Sequence, residues 1–240
     1  MKNKKQLLFG VCICLAALVW VFAGTEKGQT LLGRNYSFKE ATTTYSVSVS
    51  VPQTKNKALN TAVATYVNSA VGDFTTLYAP SMFSPEDFEA LGFADGRHYE
   101  FVIKGESWSY KNLSGVTLEF YTFTGGAHGG TQYITFLFDD AGIQLTLPQL
   151  FLGNTAFLER IAKAVQPDLK KQLEENQMYV EDFFTDGTRP DEGNFRTFTV
   201  GSDGITFIFQ QYQVAPYVAG APRVTVPFSV LQDILNPTYF

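Results

Sequence analysis

Cysteine is almost missing from this chain. Two occur in 240 residues, Cys12 and Cys14, and both lie inside an apolar run near the start. From residue 24 onward there is no thiol, which excludes disulfides, cysteine nucleophiles and zinc–thiolate sites from that region. Neither cysteine follows the Leu-x-small pattern of lipoprotein processing, so no lipid anchor is indicated. Histidine is equally scarce, with only His98 and His128. No HxxxH, HxH or HExxH spacing exists, and neither a metal site nor a cofactor is expected. Serine chemistry lacks its signatures as well, since there is no GxSxG elbow and no SxxK.

What is present begins with a basic start, MKNKKQ, and an apolar run from Leu7 to Ala23. Residues 1–23 read as a signal peptide or a membrane anchor, with Ala23 a tolerable cleavage point. Lys2, Lys4 and Lys5 stay on the cytoplasmic side, which places everything after Gly24 outside the membrane. The expected location is extracytoplasmic: secreted, periplasmic or tethered to the membrane by residues 7–23. Removing residues 1–23 leaves 15 basic against 23 acidic residues, a formal charge of −8. A domain of that charge repels nucleic acid and anionic lipid and attracts cationic proteins. Membrane contact is expected through the N-terminal segment only.

Residues 24–44 lack a sustained period and read as a tether. Tyr45, Val47, Val49 and Val51 then alternate with serines, the period of a half-buried strand. From about Lys57 to about Tyr78, apolar positions recur at helical spacing, Leu59, Ala62, Val63, Tyr66, Val67, Ala70, Val71 and Phe74, so a long amphipathic helix follows. Strand-like runs cover His98 to Ile103, Glu106 to Tyr110, Val116 to Thr124, Gln132 to Phe138 and Ile143 to Leu147, with turn chemistry at 112–115 and 139–142. Much of this region should be an antiparallel meander. A second helical pattern over Phe157 to Val165 starts after Asn154 or Thr155 as a cap, and Pro167 is expected to end or kink it before a further short helix over Asp168 to Asn176. Gly201-Ser202-Asp203-Gly204 joins two strands as a hairpin, and Asp186-Gly187 reads as a turn. Strands and helices are segregated in blocks, so the expected class is α+β, an antiparallel sheet meander carrying the long helix and a second helical segment.

Two loops attract chemistry. In Gly125-Gly126-Ala127-His128-Gly129-Gly130, four glycines allow positive φ and close backbone approach, and the flanking strands make this a strand-to-strand loop, not a phosphate loop. His128 can pin the loop, touch a partner or act in catalysis. In Tyr212 to Pro222, two prolines and a glycine break a strand and present Tyr212 and Tyr217 from a stiff loop. Paired acids at Glu86-Asp87, Asp139-Asp140, Glu174-Glu175, Glu181-Asp182 and Asp191-Glu192 read as solvated turns, and none is assigned as a catalytic pair.

The segments YTFTGGAHGGTQYITFLFDDAGIQLTLPQLF (121–151) and DGITFIFQQYQVAPYVAGAPRVTVPFSVL (203–231) resemble the extracytoplasmic domain of the RsiV-like family, which includes lysozyme-sensing anti-sigma factors and has similar domains ahead of PdaC-type peptidoglycan deacetylases. Residues of about 36–120 resemble its usual upstream companion. The resemblance implies a companion α+β domain at 45–124 and an RsiV-like domain at 125–240. It implies a noncatalytic envelope module, with lysozyme as the protein ligand of the best-known members. With six residues ahead of the apolar segment and none after Phe240, neither a sigma-holding region nor a deacetylase module is expected. The expected partner-binding residues are His128, Pro216 and Tyr217, with no catalytic residue. Peptidoglycan binding through aromatic platforms is the alternative, and a wall hydrolase using His128 is the third reading.

Overall fold

The computed structural model of the protein describes residues 35–153 and 156–240. The signal peptide or anchor expected at 1–23, most of the tether, and the caps expected at Asn154 or Thr155 lie outside the described residues. The expected tether also includes a strand, β1 (Asn35–Ala41), which pairs antiparallel with β2 (Tyr45–Pro52). Its pattern is weak because it is an edge strand in which no side chain from Tyr36 to Ala41 is fully buried; Tyr36 and Phe38 are half-buried. In β2 the alternation is sharp, since Tyr45, Val47, Val49 and Val51 all face the core.

Helix α1 (Lys57–Leu77) begins at Asn56, whose side chain accepts from Leu59 N at 3.1 Å and donates to Asp139 O at 2.8 Å. The cap thus fixes the helix start to a turn far along the chain. Leu59, Val63, Val67 and Phe74 bury one stripe of α1 against the sheet, where Phe74 stacks on Phe101 at 4.9 Å. The helix carries the chain back across that face, so β3 (Tyr99–Tyr110) pairs with β2 in parallel, from Tyr45↔Tyr99 to Ser50↔Lys104. This parallel pair departs from the expected antiparallel sheet; a helical crossover of this length is what a parallel neighbour requires.

From β3 the meander is antiparallel through β4 (Leu113–Phe123), β5 (Gly130–Asp139) and the short β6 (Gln144–Leu145). The six strands lie in the order β1 to β6. The two strands expected at 98–103 and 106–110 are one. Gly105 does not turn the chain; it pairs with Leu118, and a Cβ there would meet Val51 Cγ1 at 2.9 Å, so the residue lets β2 and β3 approach closely.

A second layer follows. Helix α3 (Phe157–Glu175) buries Ile161, Ala162, Val165, Leu169 and Leu173 against the small sheet β7 (Phe198–Gly201), β8 (Gly204–Ile208) and β9 (Arg223–Val226). The helix does not stop at Pro167. The ring removes one backbone bond, at a cost of about 3 kcal/mol in a helix interior, but the apolar stripe continues in register on both sides and its burial holds the helix together. The expected hairpin closes at Ser202-Asp203, with Gly201 opposite Gly204. Shorter helices are α2 (Pro85–Ala90), α4 (Glu181–Gly187), α5 (Glu192–Phe195) and α6 (Phe228–Leu231). Asp186-Gly187 is the last turn of α4 instead of a free turn. The fold is mixed α+β with a large, mostly antiparallel sheet. Among the described residues no helix is long and apolar enough to cross a membrane.

Candidate functional site

The β4–β5 connection holds the first loop. Gly125 and Gly126 adopt φ of 89° and 91°, which lets the chain reverse after Phe123 and leaves His128 exposed at the tip. His128 Nδ1 lies 3.0 Å from the carbonyl of Gly129. A carbonyl can only accept, so Nδ1 carries the proton in this contact. Gly129 itself is buried against Tyr121; a Cβ there would come within 2.6 Å of the phenol ring.

The second loop is anchored from below. Val214 and Ala215 are buried, and Pro216, at φ −58°, turns the chain outward into a single 3-10 turn over Tyr217–Ala219. Ala219 N donates to Pro216 O at 3.0 Å, and Val218 at the tip is 71% exposed. Before this anchor, residues 210–213 form a turn in which Gln213 N donates to Gln210 O at 3.0 Å and Tyr212 sits at φ 65°. A bulky residue held in the left-handed region costs on the order of 1 kcal/mol or more, so the surroundings must enforce it. They do so through Gln213, whose Nε2 donates to Gly187 O at 3.0 Å and Asn194 O at 2.9 Å while its Oε1 accepts from Gln210 N at 2.9 Å.

The two loops meet. The phenol of Tyr217 donates to Gly129 O at 3.0 Å, and the His128 ring stacks on the Tyr217 ring with centroids 3.9 Å apart and an interplanar angle of 23°. Gly129 O therefore accepts from both aromatic side chains. Tyr212, 51% exposed, lies 5.8 Å from Tyr217. His128, Tyr217 and Tyr212 form an aromatic row on the surface, and Pro216 sets its approach. Of the expected site residues, His128 and Tyr217 are thus in contact and Pro216 opens the short turn that carries Tyr217.

Three glutamines went unnoticed in the sequence. Gln210 Oε1 accepts from Tyr133 N at 2.8 Å, and its Nε2 donates to Tyr133 O at 2.9 Å and Thr197 Oγ1 at 3.0 Å. The side-chain amide imitates a neighbouring strand at one residue of β5. Gln211 Oε1 accepts from Thr131 N at 2.7 Å, extending the seal. Together they close a strand edge that β6 is too short to cover, and they fix the second loop over the first. The signal available was the run QQYQ directly after a strand, polar and amide-rich where strand pairing would otherwise continue.

Beneath the row, Tyr133 OH donates to Glu119 Oε2 at 3.0 Å, with the Arg223 guanidinium 5.6 Å from the ring centre. Burial raises the Tyr133 pKa, the Glu119 carboxylate raises it further and Arg223 opposes both, so this phenol stays protonated. Among the described residues no ion pair joins His128 to an acid, and no group of three His, Asp or Glu side chains is placed to hold a metal ion. The paired acids serve elsewhere: Asp87 forms a capping box with Ser84, Asp139 accepts from Ile143 N, and Asp191 caps α5. His98, the other imidazole, lies 3.6 Å from Glu100 across the first loop's far side. There a cavity of about 770 Å³ is lined by Phe93, Arg97, His98, Tyr99, Phe123 and the Gly125-Gly126 backbone, among others.

The chain is 25% identical over 198 residues to the peptidoglycan-N-acetylmuramic acid deacetylase PdaC of Bacillus subtilis (strain 168), covering 82% of this chain and 40% of that protein. It is 29% identical over 126 residues to the immunogenic protein MPT64 of Mycobacterium tuberculosis, 52% of this chain and 53% of the relative. It is 30% identical over 120 residues to the esterase Rv3036c of the same organism, covering 50% and 51%. The chain thus spans about half or less of the length of these curated relatives. Two solved structures share the fold. One is a DUF3298 family protein from Pseudomonas aeruginosa PAO1 (TM-score 0.59, 19% identity, 86% of this chain and 94% of that one), the other a DUF3298 family member from Bacteroides fragilis NCTC 9343 (0.57, 19%, 84% and 92%). Residues 148–229, which hold α3, the small sheet and the Tyr212–Pro222 loop, match the model of a family described as protein of unknown function (DUF3298).

Proposed function

We propose that the protein is a noncatalytic binding module of the bacterial cell envelope, working outside the cytoplasm, and that the row His128–Tyr217–Tyr212 with Val218 is the surface on which a protein ligand docks. The observation that carries the reading is the stack of His128 on Tyr217, locked at both ends by Gly129 O. Rigid aromatic rings with polar tips are the side chains that dominate protein recognition, because they bury large areas and lose little entropy on binding. The imidazole of His128 is already committed, Nδ1 to the loop and one face to Tyr217, which suits a docking residue better than a mobile base.

The formal charge of −8 outside the leader favours a cationic partner, approached by electrostatic steering that weakens with salt. The RsiV-like resemblance supports lysozyme as that partner. The envelope placement is supported by the leader-like N-terminus and by a relative whose name assigns it to peptidoglycan. Calorimetric titration of the full chain in mild detergent with hen egg-white lysozyme tests the reading. Saturable heat at low salt that weakens as salt rises supports it; no heat at either salt removes lysozyme as the ligand and the row as its site.

A further inference from the structure

A cavity lies on the far side of the glycine loop, lined by residues that the His128–Tyr217 row does not use. Its volume, about 770 Å³, lies in the roughly 300–1,000 Å³ range of small-ligand pockets. Its apolar wall is rigid: Phe93 is packed edge-on by Phe83, Phe88 and Tyr99, with centroids 5.2, 5.5 and 5.2 Å away, and Tyr78 braces Tyr99 at 4.6 Å. Gly125 lies across the Tyr99 ring, so the loop closes one side with bare backbone.

The polar groups converge from one strand end. His98 Nε2 lies 3.6 Å from Glu100 Oε1 and its Nδ1 lies 3.3 Å from Gly96 O, while the Arg97 stem packs over Gly92 and its exposed guanidinium forms no ion pair among the described residues. One unpaired cation beside an imidazole–carboxylate pair does not suit a polyphosphate, which would meet Glu100 as well. A wholly apolar ligand would cover the Arg97 guanidinium without offering it a partner. The combination of aromatic wall, an imidazole and a carboxylate that can each accept from a hydroxyl, and a single guanidinium matches a pyranose ring bearing a carboxylate: its C–H face on the aromatics, its hydroxyls on His98 and Glu100, its acid on Arg97.

We propose that this cavity binds an acidic sugar of an envelope glycan, independently of protein docking at the His128–Tyr217 row. The two sites share one loop, Gly125-Gly126 facing the sugar and His128 facing the partner.

The test is an NMR titration of the full chain in mild detergent with the disaccharide N-acetylglucosaminyl-N-acetylmuramic acid, against di-N-acetylchitobiose, which lacks the lactyl carboxylate. Saturable shifts of the His98 ring and of the Gly125 and Gly126 amides with the acidic sugar are expected. Arg97→Gln, an exposed substitution that leaves the wall intact, should weaken that sugar by about tenfold and leave chitobiose unchanged. His128→Ala should leave both sugars unchanged, which separates this site from the docking row. Absence of saturable shifts at these positions, or equal loss of both sugars in Arg97→Gln, overturns the proposal.

Discussion

The ring of His128 lies against the ring of Tyr217 at 3.9 Å, and both side chains donate to the same carbonyl, that of Gly129. This shared acceptor makes two sequence-distant loops into one rigid surface. Removing only the phenol oxygen should loosen it: Tyr217→Phe keeps the stack but loses one hydrogen bond, an expected cost of about 1 kcal/mol. Denaturant unfolding measures that cost, and faster amide exchange through 125–130 should accompany it. An unchanged exchange pattern would mean that the bond does not hold the loop.

Gly129 is the position where the loop tolerates least. Gly129→Ala places a methyl within 2.6 Å of the Tyr121 ring, backed by sheet, and should destabilise the protein by about 1–3 kcal/mol while displacing the Gly129 carbonyl from Tyr217. The Tyr217 hydroxyl should then exchange its proton with solvent more freely. Full wild-type stability in the alanine variant would contradict the packing described here.

The seal on β5 predicts an edge defect. Gln210→Leu leaves Tyr133 N without its side-chain partner and Tyr133 O with only the long bond from Thr197 Oγ1 at 3.4 Å, in a half-buried place, so a loss of about 1–2 kcal/mol is expected, with increased self-association at high concentration. Gln210→Glu restores the acceptor but not the donor and should fall between the two. Thermal unfolding and light scattering together read this series.

A phenol far from the site supplies a pH prediction. Tyr45 donates to Glu40, and burial first, then the Glu40 bond and charge, push its pKa up to about 12 from the usual 10.0. Its protonated form is favoured by folding, so the stabilisation is fully present below pH 10 and is lost as pH rises through about 12. The unfolding free energy of the wild type should fall more steeply than that of Tyr45→Phe across this window, and parallel curves would contradict the assignment.

How much of this was legible in the residues varies by element. The alternation Tyr45–Val51 and the stripe Leu59–Phe74 were plain, because each buries one face completely and its periodicity survives in the sequence. The strand Asn35–Ala41 was not, since at the sheet edge none of the side chains of Tyr36 to Ala41 is fully buried. Local propensity makes Pro167 a break and divides β3 into two runs, yet a continuous buried stripe carries the helix through Pro167 and a close strand approach at Gly105 keeps the strand whole. At the site, glycine and proline marked both loops, so His128 and Tyr217 could be named from sequence. The glutamines that set the loops together could not, because a side-chain amide imitating a strand leaves no periodic trace.

The docking row is tested most directly by a hydrogen-exchange footprint of the full chain with and without saturating lysozyme. Added protection concentrated in 125–130 and 212–222, and abolished by the His128→Ala, Tyr217→Ala pair while the rest of the map stays wild-type, is the result expected. Protection elsewhere with those two loops unaltered, or a footprint that survives the double substitution, would contradict the account.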